Sequence, residues 1–575
     1  MEAHSLLSAE GVRVAIEGCG HGTLNAIYDA VRKSSKVRGW DGVDVLIIGG
    51  DFQAVRNSAD LTVMSVPAKY RQLGDFHDYY AGRAKAPYLT IFIGGNHEAA
   101  AHMAELYYGG WVAPNIYYLG AANVLRLGPL RIAGMSGVWK EHYYNTTHEE
   151  RLPFRRRDVK SFYSVREEDV RKLLLLREPV DIGLSHDWPL GIERLGDSET
   201  LLKHKPHFKS EMKSNTLGNP AAEWVMNRLR PAYWFSAHLH TNFTAVKKFD
   251  PPGAPEASEG TANEEAVVVE QEKPGANPDE IDLDDADDIG TNPDEIDLED
   301  ADAEGTEKRE EVPAPNTSTV SDELRAQLPA SFAKPDNTTN TTNNNDTNDR
   351  PIYANQRPGH VPGQPVPPTI TNRTTRFLAL NKCLPGRQFL TVMPIQPLDA
   401  ADLQRYPPSS EPGKPRYTLS YDAEWLAIQR VFAPGLQIGV HGATPPADLG
   451  EAAYRALVDR ERAWVDEHVV RAGRLAVPRN FERTAPPHRH RDPAHVKGQP
   501  DEYSNPQTAA YCALIGVENR WHATDEERAA RKAAGPTPEE WNAGEYPDQG
   551  GAGGGERGSR HAQFRGRGKQ KRRFK

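Results

Sequence analysis

Cysteine is scarce in this chain of 575 residues: only Cys19, Cys383 and Cys512 occur, odd in number and far apart. That excludes a disulfide framework and leads to the expectation of a reducing, intracellular setting. No apolar run approaches the roughly 18 residues needed to span a bilayer. The N-terminal Met-Glu-Ala-His-Ser-Leu-Leu also lacks a basic stretch followed by an apolar one, so neither a membrane anchor nor a signal peptide is expected.

Apolar periodicity is missing from about Asp250 to Asn372. Residues 251 to 311 hold 23 Asp or Glu against Lys273, Lys308 and Arg309, a net of -20, so the formal net charge of -11 leaves +9 for everything else. Within this block Asn277 to Thr291 and Asn292 to Thr306 agree at 12 of 15 positions, and Asn337 to Asn348 is almost wholly Asn and Thr. One duplicated acidic unit is too polar to bury a face. Residues 251–372 are therefore expected to be a disordered acidic and Asn/Thr-rich insertion. The last 20 residues carry nine Lys or Arg against Glu556, and residues 531–575 read as a disordered Gly-rich basic tail.

Short β-type runs punctuate the first 250 residues. Val12 to Glu17 is closed by Gly18, Val43 to Ile48 by Gly49-Gly50-Asp51, and Tyr88 to Ile93 by Gly94-Gly95-Asn96. Leu24, Ile27, Tyr28 and Val31 have helical spacing, and Asn219-Pro220 opens a second helix running to Leu229. Asp181 to Ser185 and Tyr233 to Ala237 are further strands, each delivering histidine at its end. Strands alternating with helices predict an α/β fold whose ligands gather beyond the carboxyl ends of the strands. The expected divisions are a catalytic domain over 1–250 and a smaller C-terminal domain over 373–530.

Cys19, His21, Asp51, Asn96, His97, His186, His238 and His240 all fall at such ends. Hydrolysis of a phosphate diester brings a nucleophile against an anion, and two divalent cations about 3.5 to 4 Å apart relieve that repulsion. Asp51 is the natural bridging carboxylate. Asn96, His186 and His238 would complete one ligand set; Cys19, His21 and His240 would complete the other. His97 is placed to act as general acid, Glu98 to brace the loop, and Asp187 is either an orienting group or a turn residue.

The Gly-Asp, Gly-Asn-His-Glu and His-x-His pieces in this order resemble the calcineurin-like metallophosphoesterases, whose fold is a β-sandwich flanked by helices. More specifically, Glu17-Gly-Cys-Gly-His-Gly22, Gly50-Asp-Phe-Gln-Ala-Val-Arg-Asn57, Gly94-Gly-Asn-His-Glu-Ala99, Gly109 to Gly120, Ser185-His-Asp-Trp-Pro189 and Trp234-Phe-Ser-Ala-His-Leu-His240 resemble the RNA lariat debranching enzymes. Leu378-Ala-Leu-Asn-Lys-Cys-Leu-Pro385 and Asn505-Pro-Gln-Thr508 are similar to the C-terminal domain of that family. The resemblance covers most of 11–248 and patches of 373–530, and leaves out the acidic insertion. It implies hydrolysis of the 2'-5' phosphodiester at the branch of excised introns, in the nucleus and linked to mRNA splicing. It also implies metal ligation by Cys19, His21, Asp51, Asn96, His186, His238 and His240, with one or two Fe2+, Zn2+ or Mn2+ ions. A thiolate at Cys19, where most of the superfamily has Asp, favours the softer of these metals over magnesium or calcium.

Between Ser136 and Arg166, Trp139, Lys140, Tyr143 and Tyr144 precede Arg151, Arg155 to Arg157 and Lys160. Aromatics interleaved with cations suit exposed bases and phosphates, and the resemblance implies a lariat-recognition loop over 136–166. Trp139, Lys140, Tyr143 and Tyr144 are the candidate RNA contacts, with Arg56 as a further candidate for phosphate. A nuclease or protein phosphatase of the same superfamily is the alternative, because the metal core alone selects no substrate. A non-enzymatic RNA-binding scaffold would be missing ligands, and none is missing here. Branched RNA is the expected partner, alongside spliceosome-associated proteins, and the basic tail suits either RNA or an import receptor.

Overall fold

Two sheets, stacked face to face, carry the molecule. The computed structural model describes residues 11–66, 68–250 and 361–536. The acidic repeat, the Asn/Thr tract and the terminal basic segment lie outside these residues. In the first sheet β1 (Val12–Glu17), β2 (Val45–Ile48), β3 (Thr90–Phe92) and β5 (Ile116–Tyr118) run parallel. Strand β4 (Gly110–Ala113) pairs antiparallel at one edge and β12 (Leu390–Ile395) at the other. The second sheet runs in the order β10 (Phe243–Lys248), β11 (Thr374–Ala379), β9 (Tyr233–Ser236), β8 (Ile182–Ser185), β7 (Leu130–Met135), β6 (Ala122–Leu127) and β13 (Leu419–Tyr421), with parallel pairing from β11 to β7.

Parallel strands covered on both faces need near-continuous apolar sequence, and β2, Val-Leu-Ile-Ile, is buried at every position. Val14, Val45, Ile47 and Ile91 from the first sheet meet Leu125, Ile132, Ile182, Leu184 and Phe235 from the second in one core. The outer face of the first sheet is covered by the helix Leu24–Val37 through Leu24, Ile27, Tyr28 and Val31. Helices Glu167–Leu174 and Pro220–Leu229 cover the outer face of the second through Val170, Leu173, Val225 and Met226. The expected α/β sandwich is thus a helix–sheet–sheet–helix stack. As the sequence predicts, Asn219 caps Pro220–Leu229, accepting the Ala222 N–H at 3.1 Å. Such a cap is typically worth about 1 kcal/mol.

The segment expected as a separate C-terminal domain is built into the same two sheets as residues 11–250. Strand β11 lies between β9 and β10, and β12 pairs along the whole of β1, from Val12 with Ile395 to Glu17 with Leu390. Buried Arg131 of β7 holds Asp422 at 2.7 Å and Glu424 at 2.8 Å, joining the start of the helix Ala423–Phe432 to the second sheet. Removing one partner of such a buried pair costs about 3 to 5 kcal/mol.

The disorder expected for 251–372 does not extend to 361–372. Ile370 is 1% exposed, and the carbonyls of Gly363 and Pro365 each accept from Arg228, both at 3.1 Å. These carbonyls meet a guanidinium that itself needs partners once buried, which a composition-based reading does not detect. The tail boundary at 531 also moves. A capping box of Thr524 and Glu527 starts the helix Asp525–Ala534, and Arg531 pairs with Glu502 at 2.7 Å.

Candidate metal centre

Every predicted ligand follows the carboxyl end of a parallel strand: Cys19 and His21 after β1, Asp51 after β2, Asn96 after β3, His186 after β8, and His238 and His240 after β9. The two sheets therefore converge on one rim. The backbone turns sharply there: His21, Asp51, Gln53, His238 and His240 all take positive φ, from 40° to 61°. Such conformations cost of order 1 kcal/mol or more in non-glycine residues and cluster at functional sites. Gly50, at φ 124°, has to be glycine because a Cβ there would run into the His186 ring.

The ligand atoms of Cys19, His21, Asp51 and His240 all lie within 4.8 Å of one another. His21 Nε2 faces His240 Nε2 at 3.1 Å, and the His238 N–H points at Cys19 Sγ at 3.2 Å. On the other side, His186 Nε2 is 3.2 Å from Asn96 Oδ1, and its ring centre is 5.0 Å from that of His238. Asp51 divides its two oxygens between these sets, Oδ2 at 3.6 Å from His21 and Oδ1 at 3.4 Å from His186. This is the geometry expected of a bridging carboxylate. His186 Nδ1 is 2.8 Å from the Gly49 carbonyl, which can accept only if Nδ1 carries the proton. Nε2 is then left as the ligating nitrogen.

Burial sets the charge states. It pushes His21 and His186 down to about 4 and lowers His240 and His97 as well. Neutral imidazoles are what a metal requires. Burial opposes ionisation of Asp51 too, but the surrounding His186, His97, His21 and His238 outweigh it and hold the carboxyl below its ordinary range. Burial, the Asp51 charge and Glu17 push the Cys19 thiol well up. A thiolate in this place therefore needs a cation beside it. Sulfur, carboxylate and imidazole donors on one side, with carboxamide, imidazole and the shared carboxylate on the other, fit divalent metal.

Glu98 braces the loops, as the sequence predicts. Its carboxylate accepts the N–H groups of Phe52 at 2.8 Å, Gln53 at 2.8 Å and Gly95 at 3.0 Å, tying the Asp51 turn to the Asn96 turn. Burial and the Asp51 charge still raise it to about 7. The indole of Trp188 donates to the Ala237 carbonyl at 3.0 Å, and the Ala237 N–H to His186 O at 2.9 Å, clipping the two histidine turns together.

Residues 12–242 match the calcineurin-like phosphoesterase family model, and residues 372–520 match that of the lariat debranching enzyme C-terminal domain. The lariat debranching enzyme of Schizosaccharomyces pombe is 39% identical over 518 residues, covering 88% of this chain and 96% of the relative. That of Homo sapiens is 34% identical over 508 residues, covering 88% and 69%. The Arabidopsis thaliana lariat debranching enzyme is 49% identical over 235 residues, 41% of this chain and 56% of its own. The chain belongs to the lariat debranching enzyme family.

The segment expected as the recognition loop of this debranching-enzyme family member springs from the catalytic turn. Ser136 Oγ accepts the Gly94 N–H at 2.8 Å, and the Gly137 N–H donates to Gly94 O at 2.8 Å. Trp139, Lys140 and Tyr143 are all half-buried. Tyr144 does not offer a free stacking face. It is 7% exposed, packed 4.7 Å from Trp139 and 6.0 Å from Trp224, because the short helix Glu141–Tyr144 turns it onto the second sheet's helical layer. Arg151 docks the loop on the C-terminal domain, donating to Glu502 at 2.8 Å and to the Trp521 carbonyl at 3.2 Å. Asp187 accepts from Trp188 N at 2.9 Å and from Trp139 N at 3.5 Å, linking the histidine turn to this loop.

Arg56 is not a phosphate contact. Its side chain is wholly buried, paired with Asp60 at 2.9 Å and Glu105 at 2.6 Å and bonded to Thr484 at 3.0 Å. A guanidinium so buried and paired cannot face RNA. The debranching-family motifs also left two residues without a role that the structure brings to the centre. Gln53 places its carboxamide 3.4 Å from His21 Nδ1, and its position beside the Gly-Asp turn was the available signal. Lys382 arrives opposite Cys19 through an isolated β-bridge that nothing local in the sequence announces.

Proposed function

We infer that this chain is an RNA lariat debranching enzyme, a metal-dependent phosphodiesterase that hydrolyses the 2'-5' phosphodiester at the branch of excised intron lariats. The observation that carries this is Asp51, shared between the Cys19–His21–His240 set and the Asn96–His186 set, with His97 beside it, in a chain whose family similarity runs through both regions. Cys19, His21, Asp51, Asn96, His186, His238 and His240 would hold divalent metal, which when bound would supply positive charge against the phosphodiester and lower the pKa of a water.

The protein's own groups do the rest. Asp51 orients both ligand sets. The His97 ring keeps Nδ1 3.7 Å from Asp51 Oδ2, while its buried Nε2 has no hydrogen-bond partner among the described residues. We assign that nitrogen the delivery of a proton to the departing 2'-oxygen, a role worth about 10²- to 10⁴-fold in rate, with the phosphate's negative charge beside the ring favouring the imidazolium that burial alone disfavours. Lys140, Tyr143 and Trp139 on the adjoining loop offer charge and aromatic surface to the branch. The metal is iron, zinc or manganese, one or two ions per chain, with the Cys19 side selecting against magnesium and calcium.

The substrate is made in the nucleus, which we take as the site of action, with spliceosome-associated proteins as partners and the basic tail as an import or RNA-binding element. Deleting 551–575 and measuring localisation and RNA affinity separates those two roles. The activity itself is tested by giving the metal-loaded enzyme a 2'-5' branched RNA, a linear 3'-5' RNA and a phosphopeptide. Cleavage confined to the branch, yielding linear RNA with a free 2'-hydroxyl and a 5'-phosphate, is expected. Equal turnover of linear RNA or of the phosphopeptide would reassign the chain to the alternative.

A further inference from the structure

Residues 380–389, which follow β11, wrap over the turn that carries Cys19. The Gly18 N–H donates to Phe389 O at 3.1 Å and the Cys383 N–H to Cys19 O at 3.4 Å, and Cys19 and Lys382 face each other in a parallel bridge. The approach is close enough that a Cβ on Gly18 would strike the Asn381 carbonyl. Residues opposed across a bridge send their side chains to the same side of the sheet. Cys19 turns its sulfur into the metal cluster. Lys382 therefore stands on the metal side, half-buried at the rim.

We propose that the Lys382 ammonium, delivered by the C-terminal domain, is a substrate-binding group that holds a phosphate oxygen of the branch against the metal centre. A lysine suits this place better than a forked guanidinium because it acts as a compact point charge on a flexible stem. It also gives the C-terminal strands a role in recognition, since the bridge to Cys19 fixes where this cation sits. With Arg56 committed to Asp60 and Glu105, Lys382 takes over the phosphate contact that the sequence had suggested for Arg56.

This inference rests on the debranching reading, and the test keeps the two apart. Wild type, Lys382→Met and Lys382→Arg are loaded with metal, their metal content is measured, and branched-RNA cleavage and affinity are followed across a salt series. Lys382→Met is expected to keep its metal, to lose about tenfold or more in kcat/KM, and to show a salt slope shallower by about one. Lys382→Arg is expected to recover most of the loss. Unchanged kcat/KM and slope in Lys382→Met, or a loss that follows metal content and that Arg does not restore, would overturn the proposal. A wild type that leaves branched RNA intact would instead overturn the debranching reading.

Discussion

The His97 backbone N–H donates to Asp51 Oδ1 at 2.9 Å while its ring Nδ1 lies 3.7 Å from Oδ2. One residue therefore steadies the shared carboxylate, and its ring is the group proposed above as the proton donor to the leaving 2'-oxygen. The two functions separate by substitution, because the backbone bond survives loss of the ring. His97→Ala should retain its metal but lose about 10²- to 10⁴-fold in single-turnover cleavage of branched RNA. Metal analysis beside the kinetics checks this, and full activity would remove His97 from the chemistry.

Cys19 should set both metal preference and sensitivity to oxidation. Cys19→Asp exchanges a soft donor for a hard one, so competition between zinc and manganese should move toward manganese. Peroxide should inactivate the wild type by oxidising the sulfur and spare the variant. If the two proteins retained the same metals and were inactivated alike, the thiolate would not be the distinguishing ligand.

Arg56 is expected to matter for folding alone. Arg56→Met leaves Asp60 and Glu105 buried without their shared cation, which costs about 3 to 5 kcal/mol. Denaturant unfolding should register that loss. The salt dependence of RNA binding should stay as in wild type, since the guanidinium is wholly buried.

His102 provides a pH dependence away from the metal ligands. It is fully buried against Phe76 and Tyr80, with Nδ1 3.0 Å from the Ala54 carbonyl, and burial, reinforced by Arg56, lowers it from 6.5 to about 3. The folded state keeps it neutral, so its contribution is complete above pH 6.5. As pH falls below that, the unfolded chain takes the proton first, and stability is lost at up to about 1.4 kcal/mol per pH unit until the folded group also titrates. Unfolding of wild type and His102→Gln between pH 7 and pH 4.5 isolates this term. Parallel pH curves for the two proteins would assign the acid sensitivity elsewhere.

Local signals carried much of the fold and nearly all of the donor set. The run Val45–Ile48 followed by Gly-Gly-Asp reads as a buried parallel strand ending in a ligand, because the apolar run and the turn glycines act over a few residues. Asn219-Pro220 reads as a helix start for the same reason, and the Asn219 side chain does cap Ala222. Tyr144 and Arg56 were not legible in this way. An aromatic or a cation in a polar stretch looks available to RNA until the partners that bury it are known, and Trp224 and Glu105 lie far along the chain from Tyr144 and Arg56.

By itself the sequence determined the chemistry: which donor types stand at which strand ends, that they suit a metal-dependent phosphodiesterase, and that the family is the one that acts on branched RNA. Tertiary structure alone decided which cations face the centre. Arg56, close after the bridging Asp51, turns inward to two carboxylates, while Lys382, far along the chain, is set opposite Cys19. The physical reason is that strand pairing and the need to neutralise buried charge choose a side chain's neighbours, and neither depends on distance along the sequence.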